Sequence, residues 1–143
     1  MEIEELIYYA KDRIIVRHDT ELEAVECRYL RAHDEFGVFI PGAVRAGLGH
    51  ATSLGLSNWI VDVADQTDEM SEVDEQWEES EAFRQLFRDS TIRNIVLVVA
   101  RASPDLDISG AQRWADGFAA ALGPDFRAAA TSTHDATAEI LAS

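Results

Sequence analysis

The chain is short of lysine, of cysteine and of long apolar runs, and each shortage closes off a class of function. Cys27 is the only cysteine, so no internal disulfide can form and no cysteine-rich zinc site can be assembled. The longest uninterrupted apolar run, residues 95–100, is six residues long, whereas a membrane-spanning helix needs roughly 20. The opening MEIEELIYYAKD is acidic and lacks the basic start and apolar core of a signal peptide. The expected location is cytoplasmic. Lys11 is the only lysine, and between Arg45 and Arg84 there is neither lysine nor arginine, while ten acids fall from Asp62 to Glu81. With 27 acids against 12 Lys plus Arg, the formal net charge is −15. Such a surface repels nucleic-acid phosphates and anionic headgroups, so neither nucleic acid nor a membrane is expected as a partner. One strongly negative face suits a basic partner or counter-ions.

What is present reads as one α/β domain covering residues 1–143, with 47% hydrophobic content. DRIIVRHD and ELEAVECRYL alternate apolar and polar residues, as half-buried strands do, and form a hairpin turning near Asp19 and Thr20. The preceding EELIYYA is either a short strand or a frayed edge. Phe36, Ile40, Val44, Leu48 and Ala51 recur at helical spacing, with Asp34 available as an N-cap. Pro41 either kinks that helix or opens it. NWIVDVA reads as a buried strand, and RNIVLVVA as a strand covered on both faces. Between them a helix is expected from Ser71 to about Arg88, with Val73, Trp77, Phe83 and Phe87 inward and Glu78, Glu79 and Glu81 on a solvated face. SPDLDIS is a loop, ISGAQRWADGFAAAL a third helix, FRAAA a weak last strand, and STHDATAEILA a closing helix capped by Thr133. The sum is a mixed sheet of about five strands, an antiparallel pair followed by parallel strands, with about four helices.

This element order, with NWIVDVADQTDEMS, SEVDEQWEE and STHDATAEIL, resembles the SpoIIAA-like, or STAS-like, family of regulatory domains, in its uncharacterised bacterial branch. The resemblance implies that fold, a non-enzymatic regulatory or protein-binding role, and a protein partner or a second copy of the chain. In phosphoregulated members a serine in the loop after the central strand is phosphorylated within an Asp-Ser-Ser/Thr-Gly motif. Ser71 falls near that place, but Met70 stands where the Asp would be and no Gly follows. The expectation is that the fold is kept without the switch.

The same residues bear on other chemistry. Asp62, Asp65 and Asp68 are spaced by three without an intervening glycine, which is not a calcium loop. They and Ser71 are the candidate switch or partner-contact residues; Asp62 and Asp65 would also be the centre of a metal-dependent hydrolase, a lesser alternative. No metal, cofactor or catalytic residue is assigned. Cys27 alternates with Val25 and Tyr29 on the inward side and reads as a buried thiol. His33-Asp34 and His134-Asp135 sit at helix starts, and the four histidines show no matched spacing. Trp59, Trp77 and Trp114 lie on apolar stripes, as core residues do. The runner-up function is therefore a carrier or sensor of a small apolar, lipid-like ligand held between helices and sheet.

Overall fold

The structure, a computed structural model, describes residues 6–99, 108–133 and 136–142. Six strands form one sheet in sequence order: β1 (Leu6–Ala10), β2 (Ile14–Asp19), β3 (Ala24–Tyr29), β4 (Asn58–Asp62), β5 (Asn94–Val98) and β6 (Arg127–Thr131). The first three pair antiparallel and the rest are parallel. The β2–β3 turn is held by Asp19, whose Oδ1 accepts from the Glu21 and Leu22 amides, both at 3.1 Å. Period-two alternation then sorts the side chains. Val25, Cys27, Tyr29, Trp59 and Ile95 point to one face; Ala24, Ile60, Val96 and Val98 point to the other.

Among the described residues, five helices are interleaved with the later strands: α1 (Phe39–Leu54), α2 (Glu72–Glu78), α3 (Glu81–Arg88), α4 (Ile108–Leu122) and α5 (Ala136–Ala142). Because the parallel strands are laid down in order, right-handed crossovers all step in the same direction and place their helices on the same side. α1, α3 and α4 accordingly bury Val44, Leu48, Phe83, Phe87 and Leu122 in a single core with the first face. Among the described helices, α5 reaches the opposite face, where Ile140 and Leu141 pack on the smaller cluster. Beyond it that face carries Arg17, paired to the 5%-exposed Glu26 at 3.3 Å.

The expected α/β class and mixed sheet are observed, with one strand and one helix more. The added strand is β1, whose register shifts between Leu6 and Tyr8. That bulge sends both Ile7 and Tyr8 to the core and erases the alternation by which a strand is read. The added helix comes from a break in the expected Ser71–Arg88 segment. Ser80 adopts an extended backbone, and its Oγ accepts from the Phe83 amide at 3.3 Å, capping α3. The break rotates the two halves relative to each other, so Phe83 and Phe87 are buried while Val73 is 46% exposed rather than inward. α1 begins just before Pro41, whose missing N–H costs nothing in a first turn. Gly47 lets α1 approach the sheet, since a Cβ there would lie 2.7 Å from the Trp59 ring. Thr133 does cap α5, accepting from the Ala136 amide at 3.3 Å. Most of SPDLDIS and the pair His134-Asp135 lie outside the described residues.

Candidate functional site

Asp62 at the end of β4 and Asp65 and Asp68 after it do not converge. Asp62 is buried, and its Oδ1 accepts from the Ala64 amide at 2.9 Å, closing a local turn. Asp65 is exposed and pairs with Arg28 of β3. Asp68 reaches across to the β3–α1 connection and accepts from the amides of Ala32 at 2.6 Å and His33 at 3.3 Å. Among the described residues, no group of three or more His, Cys, Asp or Glu is placed to hold a metal ion.

Asp34 does similar work. Its carboxylate accepts from the amides of Val38 at 2.7 Å and of Phe36 and Phe39 at 3.1 Å, so it satisfies the α1 start although Val38 is the capping residue by backbone conformation. Burial opposes its charge, but those amides and Arg13 outweigh it and hold the carboxyl below its usual range.

Ser71 occupies the N-cap position of α2, yet its hydroxyl makes no cap hydrogen bond. It donates to the Asp34 carbonyl at 2.7 Å and lies 3.1 Å from Asp74 Oδ2. A closer tertiary acceptor has replaced the expected capping box. Burial raises the Asp74 carboxyl, against the Ser71 hydrogen bond. Ser71 is only 6% exposed, and a kinase would reach its Oγ after α2 had parted from the Asp34 segment.

The residues that do converge are further along α2. Between the helix-covered face and α2–α4 lies a cavity of about 260 Å³. Its floor is Tyr29, Trp59, Val61 and Leu97 of the sheet, and its walls are Phe83, Phe87 and Phe118. The rings hold one another in place: Trp59 meets Phe87 edge-on at 5.5 Å, and Phe83 stacks on Phe118 at 5.6 Å. Trp114, 46% exposed, stands at the mouth with Met70 and Glu78.

Glu78 is the polar exception in this lining. The residue as a whole is half-buried, but its Oε2 is enclosed and, among the described residues, has no hydrogen-bond partner. Burial, followed by repulsion from Asp74 and Glu75, pushes its carboxyl up to about 7. Glu79 and Glu81 face outward as expected, whereas Glu78 does not. A signal was present: Ser71, Asp74 and Glu78 are spaced three and four apart, one stripe of a helix, and Ser71 and Asp74 are buried.

The remaining candidates resolve locally. Cys27 is buried beside Tyr29, and burial raises both groups so that they stay neutral. His18 and His50, far apart in sequence, meet with ring nitrogens 3.2 Å apart, and burial followed by His18 keeps His50 below its usual range. Asp34, engaged with backbone amides, does not serve His33. No described helix is long and apolar enough to cross a membrane.

Neither a protein-family model, nor a curated protein, nor a solved structure matches the chain, so the STAS-like resemblance rests on the sequence stretches that suggested it.

Proposed function

We propose that the protein is a non-enzymatic binding module that carries or senses a small apolar ligand in the cavity under α2–α4. One observation carries this reading: about 260 Å³ of space between the sheet and α2–α4, walled by aromatic rings and opening beside Trp114. Packed interiors leave few voids larger than a water molecule, and ligand sites are concave and mostly apolar with a few placed polar groups. The volume is slightly below the usual range for drug-sized ligands, which suits a compact molecule. The dispersal of Asp62, Asp65 and Asp68 onto backbone amides and Arg28 supports binding over catalysis.

Propylbenzene, a neutral apolar probe, tests the reading. The expected result is a saturable change in tryptophan fluorescence and a raised melting temperature, since a ligand bound only to the native state stabilises it. Both should vanish when Val61→Phe or Leu97→Phe fills the floor. A fluorescence change that survives both filled variants would overturn the proposal.

A second reading, recognition of a protein partner or a second copy of the chain, is favoured by a separate surface. Phe36 and Val38 are 85% and 60% exposed, and Val73 packs over Gly37 between them, its Cγ1 3.0 Å from where a Cβ would stand. Together with the acidic outer side of α2 they form an apolar spot rimmed by negative charge. Phe36→Ser with Val38→Ser should abolish association in sedimentation or affinity experiments and leave propylbenzene binding unchanged.

A further inference from the structure

We infer that the ligand is an organic cation, a small protonated amine on an apolar or aromatic body, and that Glu78 is the residue that recognises its ammonium group. The inference rests on the proposed ligand cavity and specifies its chemistry. A purely apolar ligand would leave Glu78 Oε2 as it stands, enclosed and without a partner among the described residues, an arrangement that costs free energy. An N–H donor of positive charge supplies the missing hydrogen bond and neutralises the carboxylate in the same contact. The rest of the lining agrees. Trp59, Phe83, Phe87, Trp114 and Phe118 surround the space, and aromatic faces attract cations, most strongly where water is excluded. An anionic ligand would meet the opposite field, since Asp74 and Glu75 share the helix with Glu78, and Glu79 borders the mouth.

The charged groups around Glu78 leave the role to it alone. On α2, Asp74 and Glu75 add negative charge. From β3, Cys27 and Tyr29 face it in neutral form. Arg45 of α1 lies over the Trp77 ring at 5.6 Å. Arg84 of α3, paired to Glu81 at 3.9 Å, and Arg113 of α4 line an outer groove with Glu78 and Glu79. With its carboxyl raised to about 7, Glu78 is neutral in mild acid and charged above neutrality. Binding of a cation pulls it to the charged form, so affinity rises with pH through that region.

The experiment compares three probes of one shape by tryptophan fluorescence and calorimetry: 2-phenylethylamine, propylbenzene and 3-phenylpropionate. At pH 8 the amine should bind at least about tenfold tighter than propylbenzene, and the carboxylate weakest. Below pH 7 the amine's advantage should fall by up to about tenfold per unit, because the amine stays protonated while Glu78 gains a proton. Glu78→Gln should erase both the advantage and its pH dependence; Glu79→Gln should keep both. If propylbenzene binds in the cavity and the amine binds no tighter, or if its advantage survives Glu78→Gln, the cation assignment is wrong and the cavity proposal stands. If no probe responds to the filled variants, the cavity proposal itself fails and the assignment with it.

Discussion

The acids of residues 62–68 and those of residues 74–78 belong to one uninterrupted negative stretch of sequence, yet they do opposite things. In the first set, Asp62 and Asp68 give their oxygens to backbone amides, and Asp34 does so from the neighbouring connection. In the second, Asp74 and Glu78 turn inward with an oxygen each that, among the described residues, finds no partner. The first set is stabilising because it satisfies donors that the fold would otherwise strand. The second set is kept against its own burial cost. An acid that weakens the native state is better explained by what it binds than by what it holds together. Asp62 and Asp68 hold backbone amides in place, while Glu78, which read as part of a solvated face, is the acid on which the proposed ligand site rests.

Substitutions can break this contrast by the sign of their effect. Asp34→Ala should act most strongly, lowering stability by about 3 kcal/mol in urea denaturation, because three amides at the α1 start lose a charged acceptor. Its effect should shrink as pH falls. A carboxyl held below its usual range contributes above its unfolded-state value and loses that contribution as it is protonated in the native state. Asp68→Ala should cost about 2 kcal/mol, since two amides in the β3–α1 connection are released.

Glu78→Gln should do the reverse. A carboxyl raised in the native state makes the folded protein the better proton binder, so the wild type loses stability as pH rises from the ordinary carboxylate range to about 7. The variant lacks that loss. It should be more stable than wild type by about 2 kcal/mol at pH 8, a figure reduced because the side chain is only partly enclosed, and close to it at pH 5. A destabilising Glu78→Gln at pH 8 would erase the contrast. The smallest effect belongs to Asp65→Asn, within about 0.5 kcal/mol, because its pair with Arg28 is exposed.

Much of this fold was legible in the chain. Alternation in 14–19 and 24–29, the apolar runs of β4 and β5, and the stripe of α4 each named an element that the structure contains. The failures have local causes. A bulge at Ile7 removed the alternation of β1, and Ser80, one acid-flanked serine among several polar residues, hid the break between α2 and α3. The site was harder. Ser71 and Asp68 find their partners in the 32–34 segment, 35 to 37 residues away, a distance over which local pattern carries no information. Glu78 was hidden by composition: amid Glu75, Glu79 and Glu81, only its position on the Ser71–Asp74 stripe set it apart.

Glu78 carries the proposed cation recognition through an enclosed oxygen that has no partner among the described residues. A ¹³C NMR titration that follows the Glu78 side-chain carboxyl, with and without 2-phenylethylamine, tests it directly. The expected midpoint is near 7 in the free protein, moving to lower pH when the amine is present. A midpoint in the ordinary carboxylate range that the amine leaves unmoved would contradict the account.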